Sequence, residues 1–190
     1  MKLDGILPFA RLLLEKAISA GDIAIDCTVG NGNDTVFLAK IVGDSGRVFG
    51  FDIQNLAIEK TSVKLTEHGI SEQVSLNLNG HENVKSIVPS ELHGKVKGAI
   101  FNLGYLPGGD KEIITVPETT IHAVHDLLEI LAPEGIIVIV VYYGHPKGAI
   151  ERDALSEYVK NIPQEIAHVL EYRFMNPTNN PPFIIAIEKR

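Results

Sequence analysis

Residues 24–35 read AIDCTVGNGNDT. Ile23, Ala24 and Ile25 make a short apolar strand that ends on an acid, Asp26. Two glycines follow at alternate positions, Gly30 and Gly32. A second acid, Asp34, then opens an amphipathic pattern with Val36, Phe37, Leu38 and Ile41 on its apolar side. Glycine lets the backbone turn sharply and approach a ligand without a Cβ in the way. A strand, a glycine turn and a helix N-terminus in succession form a cradle for a nucleotide cofactor.

Outward from this segment, short β-rich runs alternate with helical patterns. Strands are expected at 22–27, 46–52, 74–78, 97–103, 135–142, 165–174 and 183–188, and helices at 6–20, 34–42, 56–68, 82–88, 117–131 and 149–161. Strands separated by helices imply a parallel sheet with helices on both faces. The run Ile136 to Val141 is apolar at every position, as a strand buried on both faces requires. Only residues 175–182 join the last two strands, which is too short for a crossover, so the last strand is expected to run antiparallel. The expectation is one α/β domain over residues 1–190, with a seven-stranded, mostly parallel, Rossmann-like sheet.

The 190 residues carry a net charge of −7. Phosphate contacts need a basic surface, so this weakens a nucleic-acid partner, although a local basic patch is enough. Lys2, Arg11, Lys111, Lys147, Arg152 and Arg173 are candidates, each taken singly more readily read as a solvated charge. No apolar run approaches the roughly 18 residues of a membrane span. The opening MKLDGILPFARLLLEKAIS carries Arg11, Glu15 and Lys16 at helical spacing and reads as an amphipathic helix, not a signal peptide. The single cysteine, Cys27, rules out an internal disulfide and fits a reducing cytoplasm. Cys27 lies inside the glycine turn, where a packing role outweighs a nucleophilic one.

Two cofactor classes compete for the cradle. A dinucleotide fingerprint needs a third glycine, and Thr35 stands at that position. The pattern D-x-x-x-G-x-G from Asp26 to Gly32, followed by an acid ending the second strand, resembles the class I S-adenosylmethionine-dependent methyltransferases. That resemblance puts Asp26 and the turn residues near the methionine end of the cofactor. The second acid is Asp52, whose carboxylate can accept both ribose hydroxyls. Its competing role is to cap the next helix, for which Asn55 is the rival. Gln54 could border the adenosine. Asn79-Gly80-His81-Glu82 follows the third strand, where the methyltransferases border adenine. It reads equally as a turn with helix-start residues.

The acceptor side is expected at the ends of the fourth and fifth strands. Asn102-Leu103-Gly104-Tyr105 partly resembles the (D/N)-P-P-(Y/F) motif of enzymes that methylate exocyclic amines, with Asn102 and Tyr105 aligned and the prolines replaced. The fifth strand leads into Tyr142-Tyr143-Gly144-His145-Pro146-Lys147. Alternation along a strand predicts that only one tyrosine faces the site. His145 could take a proton from the acceptor amine. The loop with Asn176, Asn179 and Asn180 among three prolines could form a far wall. His122 and His125 lie one helical turn apart but show no third ligand, so no metal is expected.

ILPFARLLLEKAI, DCTVGNGNDTVFLA, FDIQ, GHEN, FNLGYLPGGDK, VYYGHPKG and NPPFIIAIEK together resemble a family of small bacterial methyltransferases. The family was long labelled as rRNA methylases and is now associated with the tRNA wobble uridine. The resemblance implies methylation of 5-aminomethyl-2-thiouridine at position 34 to the 5-methylaminomethyl form, with S-adenosylhomocysteine as the other product. It implies cofactor contacts from Asp26, Gly30, Asn31, Gly32, Asn33, Asp34, Thr35, Asp52, Gln54, His81, Glu82 and Asn102. Asn102, Tyr105, Tyr143 and His145 would stand at the acceptor. Lys2, Arg11, Lys111, Tyr142, Lys147, Arg152 and Asn179 would hold the tRNA anticodon stem-loop, with a homodimer as one way to grip it. Ribosomal RNA and a small-molecule amine are the alternative acceptors.

Overall fold

The computed structural model describes residues 2–104, 106, 108, 114–144 and 146–190. Among these, seven strands form one sheet in the order β3-β2-β1-β4-β5-β7-β6. They are β1 (Ile23–Asp26), β2 (Arg47–Asp52), β3 (Val74–Leu78), β4 (Val96–Asn102), β5 (Leu131–Val141), β6 (Ala167–Tyr172) and β7 (Phe183–Lys189). The first five pair in parallel, and β7 lies antiparallel between β5 and β6. This is the arrangement expected from the short connection before β7.

Alternation along the strands sorts two cores. Ile23, Ile25, Phe101, Ile137 and Ile139 face one side, where α4 (Val84–Ile87), α5 (Pro117–Ile130) and α6 (Pro146–Lys160) cover them. Ala24, Ile100, Val138, Val140 and Ile184 face the other, under α1 (Ile6–Ala17) and α2 (Asn33–Val42). Helix α3 (Asn55–Glu67) packs beside α2 against β2 and β3. Burial on both faces is why β5 has no polar residue from Ile136 to Val141. No helix among the described residues is long and apolar enough to cross a membrane.

Several elements depart from the sequence reading. Strand β5 starts at Leu131, directly after α5, because the chain bulges instead of leaving the sheet. Glu134 takes a left-handed conformation (φ 63°), and the pairing jumps from Val96–Leu131 to Gly98–Ile136. The predicted helix over 82–88 is a 3₁₀ turn at His81–Asn83 followed by the single turn of α4. Asn55 is the first residue of α3 and does not cap it.

Candidate active site

The carboxyl ends of β1 to β5 open into one cleft of about 830 Å³, within the range of small-molecule sites. The strand order turns back between β1 and β4, and ligands of open α/β sheets bind at such a switch point. Residues after each strand contribute in turn: Thr28 to Asn31, Asp52 to Gln54, Asn79 to Glu82, Asn102 to Gly104, and Tyr142 to Gly144.

The glycine turn has left-handed residues at Gly30 (φ 52°) and Gly32 (φ 73°). A Cβ on Gly32 would lie 2.6 Å from the Thr61 hydroxyl of α3, so the turn is closed against that helix. Gly32 caps α2, whose first residues, Asn33 and Asp34, line the cleft beside Asn31. Unpaired N–H groups at such an end favour an anion such as a carboxylate.

Asp26 is not part of the cleft lining. It is 1% exposed. It accepts hydrogen bonds from the Thr28 N–H (3.1 Å) and the Thr35 hydroxyl (2.6 Å). Burial pushes its pKa up to about 7; the Asp34 charge adds to the rise, while the bonds from Thr35 and Thr28 oppose it. Asp26 and Thr35 therefore tie the strand end to the helix start beneath the cradle. Gly32 is likewise buried outside the lining.

Asp52 faces the cleft from the end of β2. Its Oδ2 accepts the Gly30 N–H and its Oδ1 the Gln54 N–H, both at 2.9 Å. Each oxygen keeps a further lone pair, enough for the two hydroxyls of a ribose. His81, 8% exposed, has its Nδ1 3.0 Å from the Cys27 carbonyl. A carbonyl only accepts, so Nδ1 carries the proton and Nε2 of the neutral ring is an acceptor. Burial lowers the pKa of His81 and keeps the ring neutral. Buried Nε2 has no partner among the described residues, which leaves an acceptor for a ligand N–H. Asp34, Asp52 and Glu82 all line the cleft, and this acidic wall suits a cationic ligand.

On the acceptor side, the Asn102 N–H donates to the Thr28 hydroxyl (2.7 Å) and the Leu103 N–H to Val140 (3.0 Å). The Asn102 side-chain amide donates to Asp34 at 2.6 Å. Gly104 exchanges hydrogen bonds with Thr115 across the loop between β4 and α5. Buried Glu151 of α6 accepts both the Thr115 hydroxyl (2.7 Å) and the Thr120 hydroxyl (2.8 Å). Thr28, Thr115 and Glu151 support these loops, and sequence reading named none of them. Glu151-Arg152-Asp153 on a helix reads as a solvated run.

Both tyrosines line the cleft, where the alternation argument allowed one. Strand β5 ends at Val141, so Tyr142 and Tyr143 lie in the loop beyond it. Tyr143 packs its edge on Phe183 and carries the Arg152 guanidinium over its ring at 5.1 Å. Asn180, not Asn179, lines the far wall, from a left-handed conformation (φ 47°). Arg11 reaches Asp34 at 3.2 Å beside the cleft, while Lys2 and Lys147 are exposed. Tyr105, Lys111 and His145 lie outside the described residues. His122 and His125 are not among the lining residues. His125, Asp126 and Glu129 bring ligand atoms within 4.8 Å of one another, but Lys85 already engages Glu129.

A turn for a carboxylate, an acid for a diol, a neutral imidazole acceptor and an anionic wall match the parts of S-adenosylmethionine. With this sheet order they define a class I S-adenosylmethionine-dependent methyltransferase. Residues 48–188 match the family model described as "Putative rRNA methylase", and the chain belongs to that family. Over 188 residues it is 36% identical to the "tRNA (mnm(5)s(2)U34)-methyltransferase, chloroplastic" of Arabidopsis thaliana, covering 95% of this chain and 68% of the relative. A solved "putative rRNA-methylase" from Clostridium thermocellum superposes with a TM-score of 0.96 at 41% identity, covering all of both chains. A "putative methyltransferase" from Streptococcus mutans, in complex with SAH, gives a TM-score of 0.89 at 38% identity over 99% of each chain.

Proposed function

We propose that this methyltransferase converts 5-aminomethyl-2-thiouridine at tRNA wobble position 34 to its 5-methylaminomethyl form. The carrying observation is the placement of Asn102. Its main chain is fixed by Thr28, and it lines an acidic cleft that Tyr142 and Tyr143 also line. A carboxamide oxygen can hold an amine N–H and so aim the nitrogen lone pair. The wobble-uridine name of the Arabidopsis relative supports the choice of amine.

S-adenosylmethionine bound in the cleft supplies a methyl group already activated on a sulfonium. Asp52 would hold the ribose, His81 and Glu82 the adenine edge, and Asn31 and Asn33 the amino-acid end. An aliphatic amine is largely protonated at neutral pH and must be neutral to react. His145 is the proposed proton acceptor, on the strength of its sequence position after Tyr143. Tyr105 and Tyr143 would flank the base. Lys2, Lys111, Lys147 and Arg152 would contact anticodon-loop phosphates. The reading extends to a single catalytic domain acting in the cytoplasm.

Mass spectrometry of nucleosides from bulk tRNA of a strain lacking the gene tests the reading. Accumulated 5-aminomethyl-2-thiouridine, with methylation restored by the wild-type gene, is the expected result. An unchanged wobble profile in a strain without redundant activity would reject tRNA. The family description would then direct the search to ribosomal RNA.

A further inference from the structure

We propose that Arg11 and Asp34 are positioning residues that fix which end of the Asn102 carboxamide faces the acceptor nitrogen. The inference rests on the reading of Asn102 as the acceptor-side group. It assigns Arg11 a task other than gripping RNA phosphate.

The orientation follows from hydrogen-bond chemistry. An asparagine amide can sit either way round, and its two ends differ little in shape. A carboxylate offers only lone pairs. The Asn102 side-chain atom 2.6 Å from Asp34 Oδ2 is therefore the NH2 group, because the flipped amide would set oxygen against oxygen. The carboxamide oxygen diverges from that contact, and it has no hydrogen bond among the described residues. That oxygen is the atom an amine N–H needs. In the flipped state the NH2 group would oppose the amine N–H or donate to the nitrogen lone pair that must attack the methyl group.

Asp34 is itself held. Its other oxygen accepts from the Arg11 guanidinium at 3.2 Å. Arg11 lies 5.0 Å over the Phe37 ring, one turn along α2 from Asp34. Its Nε is buried without a partner among the described residues, while the side chain as a whole stays 42% exposed. Three elements meet in the relay: Arg11 comes from α1, Asp34 from the first turn of α2, and Asn102 from the end of β4. The charge on Asp34 also polarises the amide and strengthens its oxygen as an acceptor.

The test has a spectroscopic arm and a kinetic arm. In the ligand-free protein, the Asn102 side-chain NH2 is assigned by its loss in Asn102→Ala. One of its protons should lie downfield and exchange slowly in the wild type, and should return to ordinary values in Asp34→Asn. An Asn102 amide already at ordinary values in the wild type overturns the proposal, whether or not any variant folds. In turnover, Arg11→Met and Asp34→Asn should each lower kcat about tenfold or more. For Arg11→Met, KM for tRNA and the Kd for S-adenosylhomocysteine should stay within about twofold, and Arg11→Lys should recover part of the loss. A raised KM with a shallower salt dependence and unchanged kcat in Arg11→Met would make Arg11 a phosphate contact and overturn the relay. If the wild-type enzyme methylates no tRNA, the substrate proposal fails, and the spectrum still decides the relay.

Discussion

Asp26 holds the cradle together from a place that disfavours its own charge. Its folded-state pKa of about 7 is well above the 3.8 of an ordinary aspartate. Between those values the folded chain keeps a proton that the unfolded chain has released. The stability this group contributes is full at low pH and is lost as pH rises through 7. Asp26→Asn removes the charge, keeps an acceptor for Thr28, and can donate to the Thr35 oxygen. Urea unfolding should show the variant more stable than the parent at about pH 8.5, by up to about 4 kcal/mol, with the gap closing toward about pH 4. A gap that does not change with pH would remove Asp26 as its source. The sequence displayed this acid at a strand end but not its depth. Nothing in AIDCTVG says that Thr35 will fold back over Asp26 and shut it away from the cleft. Asp52 was more legible, because a carboxylate ending the neighbouring strand has the cleft in front of it.

At the scale of elements, the loop between β4 and α5 is tied at both ends. Gly104 and Thr115 bond to each other, and Glu151 clasps Thr115 and Thr120 from α6. Glu151→Ala would strand two hydroxyls and leave a cavity, at a cost of roughly 3 kcal/mol in denaturant unfolding. Because the loop follows Asn102, kcat should fall at temperatures where the fold persists. A variant with parental stability would show that the clasp adds nothing. Elements with strong periodicity were readable from the chain, as β5 shows with its unbroken apolar run. What escaped depended on where an element stops. The tyrosines share the cleft because β5 ends at Val141. Asn180 replaces Asn179 on the far wall, where it has a left-handed backbone. The clasp was hidden because a glutamate among charged neighbours gives no sign that its helix turns it inward.

At the scale of the whole molecule, cofactor binding and stability are linked. A ligand that binds only the folded chain stabilises it by about 2.7 kcal/mol at a hundredfold excess over Kd, or roughly 5–10 °C in Tm for a domain of this size. S-adenosylhomocysteine should produce such a shift and NAD none. Asp52→Ala should remove about half of it or more, through at least a tenfold weaker Kd. A shift from NAD alone would point to the dinucleotide reading of the glycine turn. The acidic balance of −7 also bears on the partner. If RNA is the substrate, methylation should fall steeply as salt rises, because phosphate contacts release counterions.

The insertion of β7 between β5 and β6 has a consequence for how the protein is made. β5 carries Tyr142 and Tyr143 to the cleft, and its outer edge pairs along Ile136–Val141 with β7. Those partner residues are synthesised only after β5, α6 and β6. Until they emerge, a nascent chain presents an apolar strand with an open edge. The cofactor half, β1 to β3 with their helices, is already synthesised. Binding of the cofactor and readiness for the acceptor would therefore arise at different moments in translation, with the second waiting for Phe183–Lys189 to slot into the sheet.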